Sequence, residues 1–395
     1  ASEVRLNRNE GNVVETPKVD SASQVQAPSA SRLPLLSTAI GQWVSNMEYN
    51  WSLKTKKGNV RWVQDFLEIC GDRALDDYSK IDGRLFKETF ERLPRGWRIR
   101  DDLKNLHINK AALKANKLNL KPMARDNINK GVGKVSLFWV WADAQYFDDN
   151  APQPLKGLKY KIKKNPRGER NPFSTEQLTK IFTSPIFTGC KSETHWALTG
   201  TEVLKKSPKY WVPMIALFTG ARLGEICQLE VDDIKTEKGI PYFNIDGALA
   251  SERLDGEKGI KTLNARRKIP VHPILLETGF LNYFQHIKTT KQKRLFPLLK
   301  SGADGSYSDH FSKHFGRHLV ACDAKTSKTS FHSFRHNFED ACGNAKITGD
   351  VRDTLQGHSS GGMRARYGSR NIELEILHKE IIRIEYPDLD LLHLK

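Results

Sequence analysis

From about residue 33, apolar positions recur at helical spacing. In LPLLSTAIGQWVSNMEYNW, Leu36, Ile40, Trp43, Val44 and Met47 fall on one face of a helix. The same pattern predicts a helix over Lys56–Cys70, with Val60, Val63, Phe66, Leu67 and Ile69 apolar. A third covers Gly83–Leu93 and stops before Pro94, whose ring cannot continue it. A fourth lies within Ala124–Phe147, where Val132, Val135, Leu137, Phe138, Val140 and Trp141 form an apolar block. The basic stretch LKNLHINKAALKANKLNLK between them reads either way. Residues 33–150 are therefore expected to form a small helical domain. Residues 1–32, poor in large apolar groups, read as a flexible tail.

Pro and Gly punctuate residues 151–172, APQPLKGLKYKIKKNPRGERNP, and the charges there are nearly all basic: Lys156, Lys159, Lys161, Lys163, Lys164, Arg167 and Arg170. This reads as an interdomain linker whose cations suit a phosphate backbone, although a solvated hinge would look the same. A second unit opens at Phe173. Ser174 and Gln177 have the spacing of a capping box. A loop-like insertion near 183–208 leads to a helix in KYWVPMIALFTG. ARLGEICQLEV reads as a further helix ending at Asp232–Asp233. PYFNI and IKTLNARRKIPVH roughly alternate and read as strands. After Pro273 the chain is mostly helical again. The expected fold is mainly α with a small β-sheet, in two domains, the second spanning 173–395.

The 63 Lys and Arg outnumber the 46 Asp and Glu, leaving a formal net charge of +17 over 395 residues. That excess points to a polyanionic partner, nucleic acid first. With 38% hydrophobic residues the chain can bury real cores. No apolar run approaches the ~18 residues of a membrane span, and ASEVRLNRNEGNVVE has no secretory core. Five widely spaced cysteines without a CxxC pair argue against a disulfide framework or thiolate zinc site, so a reducing cytosol is expected.

Chemistry-bearing residues are scattered through the second unit: Arg222 after Thr219–Gly220–Ala221, Lys261 on a strand-like segment, His332 and Arg335 in FHSFRHNF, His358 in LQGH, and Tyr367 in RARYGSR. Two arginines can hold the nonbridging oxygens of a phosphodiester. A tyrosine can attack phosphorus, and a lysine or histidine can move the protons. Such a set requires no metal or other cofactor.

In these stretches the sequence resembles the tyrosine recombinases, or phage-type integrases. FTGARLGEICQLEVDDI resembles the family's first arginine box, with Glu225 three residues after Arg222. HSFRH resembles its H-x-x-R box, and LQGHSSGGMRARY its G-H…Y box, at the usual separations. K-T-x-x-x-R-x-x-I-P, beginning at Lys261, best matches the lysine strand, with Lys258 and Lys268 as neighbouring alternatives. The likeness is specific over roughly 170–370 and architectural before that. Gly361–Gly362 departs from many relatives. The resemblance implies a helical core-binding domain and an α+β catalytic domain forming a C-shaped clamp on double-stranded DNA. It implies Tyr367 as nucleophile, Arg222 and Arg335 as phosphate clamp, and Lys261 as general acid. His332 would be proton acceptor or phosphate ligand, and His358 a second phosphate donor. It further implies a homotetramer on paired sites, strand exchange through a Holliday junction for integration or excision of a mobile element, and a place on the nucleoid. It leaves room for an accessory DNA-bending protein. The alternatives are a type IB topoisomerase-like enzyme with the same chemistry and a non-catalytic DNA-binding protein on this scaffold.

Four other features carry expectations. His332 and His336 have zinc-helix spacing but lack the glutamate base. His310, His314 and His318 step by four, a spacing that could bind a metal, and are expected instead on a surface or DNA-facing helix. Cys227 and Cys342 read as small buried residues. The apolar face Ile372, Ile376, Leu377, Ile381 and Ile384 suits packing on its own domain as well as docking on a neighbouring protomer, as the family's C-terminal segment often does.

Overall fold

The structure is a computed structural model and describes residues 33–149, 151–163, 170–249, 259–260, 265–302, 305–358 and 372–395. The tail, Lys164, Arg167, Lys258, Lys261, Gly361–Gly362 and Tyr367 lie outside the described residues.

The first helices form where apolar spacing and caps agree. α1 (Leu36–Met47) buries Leu36, Ala39, Ile40 and Trp43. α2 (Leu53–Cys70) starts at Ser52, whose hydroxyl accepts the Thr55 N–H. α3 (Lys80–Arg92) begins three residues earlier than apolar spacing suggests, because Ser79 and Asp82 form a capping box. The ambiguous basic stretch contains α4 (Ile108–Lys117). Its buried face is Ile108, Ala111, Ala112 and Ala115, too small to stand out as a hydrophobic stripe. α5 (Arg125–Tyr146) packs Val132, Val135, Phe138 and Trp139 into the same core, beside Trp43, Phe66 and Phe86.

The start of the basic 151–172 stretch is docked rather than free. Leu155 is buried in the first core, and the backbone N–H and C=O of Tyr160 both bond the Asn129 side chain on α5. Lys156, Lys159, Lys161 and Lys163 remain exposed. At the other end, Phe173 exchanges two hydrogen bonds with Asn337 and enters a second, larger core.

That second core surrounds α8 (Pro208–Thr219), of which every residue but Lys209 is buried. Before it come α6 (Thr175–Phe182), with the expected Ser174–Gln177 capping box, and the short α7 (Pro185–Thr188). The helix expected in ARLGEICQLEV is only α9 (Leu223–Cys227), followed by a 3₁₀ turn at Val231–Asp233. Strand β1 (Ile234–Glu237) then pairs antiparallel with β2 (Ile240–Ile245), and β2 with β5 (Arg267–Pro270), Phe243 lying opposite both Ile234 and Ile269. Two-residue strands β3 (Ala248–Leu249) and β4 (Gly259–Ile260) pair in parallel. Helices α10 (Pro273–Glu277), α11 (Phe280–Thr289), α12 (Ser308–Ala321), α13 (Ser333–Asn344), α14 (Gly349–Gln356) and α15 (Leu374–Ile381) complete the described elements. The protein is mostly helical with a small three-stranded antiparallel sheet. No helix among the described residues is long and apolar enough to cross a membrane.

One expectation is corrected. Of the three stepped histidines only His310 is exposed; His314 and His318 are buried. Trp196 packs edge-on against the His314 ring at 4.7 Å, and the Ser184 hydroxyl lies 2.8 Å from His318 Nε2. Burial pushes the imidazoles down, to about 3 for His314 and about 4 for His318, so both pack as neutral rings. This contact gives the 183–208 insertion a structural place: it folds onto α12, pinned further by Lys209 to Glu193 at 2.8 Å. No group of three or more metal-ligating side chains occurs among the described residues.

The C-terminal segment, open to either packing by its sequence, packs on its own domain. Leu377, Ile381, Ile384, Leu389, Leu391 and Leu394 lie in the second core. The Tyr386 hydroxyl donates to the Leu217 carbonyl at 2.8 Å, and His272 Nε2 lies 2.9 Å from the Ile384 oxygen. Ile376 of the same segment is 48% exposed, but docking on a neighbour through Leu377, Ile381 or Ile384 would have to strip them from their own core. Ile381→Ala should therefore destabilise the chain by about 2–5 kcal/mol, lowering Tm by roughly 2–4 °C per kcal/mol. The stoichiometry of its DNA complexes should stay that of the wild type. A normal Tm with lost assembly would reinstate the neighbour-docking reading.

Candidate functional site

The site is built around the C-terminus of α14. The last carbonyls of a helix have no partner inside it and carry the negative end of its dipole. Here each of five consecutive carbonyls is met. The Asp353 oxygen accepts from the His358 N–H at 2.9 Å, and the Thr354 oxygen from the Gly357 N–H at 3.1 Å. The next three receive guanidinium groups from three separate elements. Arg267 Nε reaches Leu355 at 2.8 Å, Arg335 Nη2 reaches Gln356 at 2.6 Å, and Arg222 Nη2 reaches Gly357 at 3.4 Å.

Each arginine is held a second time. Arg222 sits just before α9. Its backbone N–H donates to Glu225 Oε2 and its Nη1 to Glu225 Oε1, both at 2.8 Å. Arg335, on the first turn of α13, is only 4% exposed, and its Nη1 donates to the Gly220 carbonyl at 2.7 Å. Gly220 caps α8 with φ +62°, where a Cβ would lie 2.5 Å from Phe338. Thr219–Gly220 is thereby explained: only glycine brings that carbonyl to Arg335. Gly357, with φ +64°, is required in the same way, since a Cβ there would meet Arg267 Nη1 at 2.8 Å.

Electrostatics follow from this crowding of cations. Burial alone would raise the Glu225 carboxyl; the charge and hydrogen bond of Arg267, with the bonds from Arg222, outweigh it and hold it down to about 2. Burial, then Arg222 and Arg267, pull Arg335 to about 10, still protonated at neutral pH. His332 immediately precedes α13, with the His336 ring 5.1 Å away. Burial, then His336, Arg335, Arg222 and Arg170, lower its imidazole to about 4, so it is neutral at pH 7 and a weaker base than a free imidazole. His358 is also lowered, by burial first and then Arg335, with Asp353 opposing. Its Nδ1 lies 3.8 Å from Asp353 Oδ1. A cavity of about 200 Å³ opens beside these groups, lined among others by Arg222, Ser312, Ser330, His332 and Arg335. A wider, shallow concavity of about 690 Å³ runs along the outer face of α12 and contains none of the motif residues.

Arg222, His332, Arg335 and His358 are thus brought to one place. The expected nucleophile Tyr367 and acid Lys261 lie outside the described residues, as do Lys164 and Arg167. Of the alternative lysines, Lys268 is engaged elsewhere, with its Nζ 2.6 Å from Glu237 on β1. Sequence reasoning missed Arg267. In ARRKIPVH it is one arginine of two, and nothing in the composition marks it as buried.

No protein-family model matches the chain, and no curated protein matches it in sequence. Solved structures do. A fragment of the Tn1549 transposon integrase, in complex with transposon right end DNA, is similar over 88% of this chain and 99% of that one, at 16% identity and a TM-score of 0.51. A lambda integrase dimer bound to a COC′ core site covers 86% of this chain and 97% of its own, at 13% identity and a TM-score of 0.50. The fold is that of the tyrosine recombinase integrases. The helical and α+β parts read from the sequence both lie within this integrase fold, which extends over most of the chain.

Proposed function

We propose that the chain is a site-specific DNA recombinase of the tyrosine type. The observation that carries the reading is the convergence, around one helix end, of three stretches that resemble the family's boxes and lie far apart in sequence, Arg222 and Gly357 being 135 residues apart. The two integrases of similar fold were both solved on DNA, and the chain's +17 charge suits the same partner.

Arg222 and Arg335 would present charged donors to the nonbridging oxygens of the scissile phosphate, where negative charge builds up in the transition state. The Tyr367 oxygen attacks phosphorus and gives up its proton, to the neutral His332 imidazole or, where His332 serves instead as a phosphate ligand, to solvent. The P–O5′ bond breaks, Lys261 protonates the departing 5′-oxygen, and His358 donates to the phosphate. The resulting 3′-phosphotyrosine conserves the bond, so the 5′-hydroxyl of a partner strand can reverse the step without ATP. Residues 33–150 would grip the duplex as the core-binding domain, and 173–395 would act as the catalytic domain. Lys156, Lys159, Lys161, Lys163, Lys164 and Arg167 would lie along the backbone between them. Four protomers on two sites would exchange strands through a Holliday junction, moving a mobile element.

Suicide duplexes nicked near candidate repeats around the gene test this reading. Wild type should form a protease-sensitive adduct with or without EDTA, and paired sites should recombine. Absence of any adduct on every duplex would sink the enzymatic reading; relaxation of supercoils without recombination would move it to the topoisomerase class. The acid has its own test. Lys261→Ala should cut slowly, and a 5′-bridging phosphorothiolate should restore its rate, because sulfur leaves without a proton. The same substrate should not restore Arg222→Ala. Rescue of Lys258→Ala instead would assign the acid to Lys258.

A further inference from the structure

We propose that Arg267 is a positioning residue for the phosphate clamp, acting on Arg222 through Glu225 and on the His358 turn through the Leu355 carbonyl. The inference rests on the recombinase reading above and adds to it a residue inside the lysine-strand stretch to which the resemblance gives no role.

The geometry is specific. The Arg267 side chain is 2% exposed and, unlike Arg222 and Arg335, does not line the cavity beside the clamp. Its fork makes three bonds in three directions: Nε to Leu355 O at 2.8 Å, Nη1 to Ala265 O at 2.7 Å and Nη2 to Glu225 Oε2 at 2.8 Å. Glu225 is shared, one oxygen facing the Arg222 guanidinium and the other facing Arg267 and the Arg222 backbone N–H. Without Arg267, Arg222 would become the sole guanidinium partner of a buried carboxylate and would be drawn onto it. The Leu355 carbonyl would lose its partner two residues before Gly357, the acceptor of Arg222. A planar five-donor fork is needed to serve three acceptors at once, and a lysine cannot reproduce it. Arg267 also opens β5, directly after the segment that carries Lys261. It therefore joins the lysine segment, the first arginine box and the G-H turn through one buried group. Removing one partner of a buried ion pair leaves the other charge uncompensated, so stability has to be read beside the rate for each variant.

The test compares wild type, Arg267→Gln, Arg267→Lys, Arg222→Ala and the double variant Arg222→Ala/Arg267→Gln. Tm, DNA affinity and single-turnover cleavage of a suicide duplex are measured for each. Two substrates are used: the normal phosphate and a methylphosphonate at the scissile position, which lacks the charge that the clamp neutralises. Arg267→Gln should slow cleavage of the phosphate by about 10–100-fold, as loss of a partner that orients a functional group does, while DNA affinity changes little. The loss should shrink on the methylphosphonate and nearly vanish in the Arg222→Ala background, because the two residues act as one unit. Arg267→Lys should fall between. A purely structural role would slow both substrates and both backgrounds alike, and that result overturns the proposal. If Arg267→Gln does not fold, folded Arg267→Lys decides: a wild-type rate, or equal slowing on both substrates, also overturns it. Failure of wild type itself to form an adduct removes the recombinase reading and this proposal together. A wild-type adduct with cleavage insensitive to Arg267 removes only the proposal.

Discussion

Tyr367→Phe is expected to bind DNA as tightly as wild type and to form no covalent adduct. The substitution keeps the ring and removes only the attacking oxygen, so the loss falls entirely on the bond-forming step. A gel-shift assay and a suicide-duplex assay on the same preparation check both halves. The variant keeps no phenol oxygen from which a phosphotyrosine could form, so the effect should be abolition rather than slowing. Adduct from the Phe variant at even a small fraction of the wild-type yield would exclude Tyr367 as nucleophile.

The clamp arginines should give the next largest effects, and the structure separates them. Each removes a charged donor from the transition state, so Arg222→Ala and Arg335→Ala should each slow cleavage by about 100–1,000-fold or more. Their effects on folding should differ. Arg335 is buried, and its loss orphans the Gly220 and Gln356 carbonyls, so Arg335→Ala should also lower Tm clearly. The Arg222 side chain is 32% exposed, and its variant should melt closer to wild type. Rates normalised to folded protein distinguish the two contributions. Near-wild-type cleavage by either variant would remove it from the clamp.

The sequence made some of this site legible and concealed the rest for identifiable reasons. Arg222, His332, Arg335 and His358 stand out because residue type and spacing match a chemistry. The fold brings these four together around the end of α14. Gly220 and Gly357 were visible as letters, but their reasons, a carbonyl offered to Arg335 and room for Arg267, require coordinates. Arg267 was hidden because a buried guanidinium and a solvated one read alike. Helical spacing showed that His310, His314 and His318 share a face, but not what the face meets. The Trp196 contact comes from a distant loop. In α4 the buried face is mostly alanine, so periodicity was weak where burial was strong. Strand β1 was missed because four residues with a single large apolar side chain, Ile234, give little alternation to read.

The central claim is a covalent bond between one tyrosine and the 3′ end of a cut strand. Wild-type protein trapped on a nicked suicide duplex, digested with nuclease and trypsin, and analysed by tandem mass spectrometry tests it most directly. The account predicts a nucleotide attached through a 3′-phosphate to the Tyr367 oxygen, in the tryptic peptide Tyr367–Arg370 that follows Arg366. A nucleotide on any other residue, or a linkage through a 5′-phosphate, would contradict it.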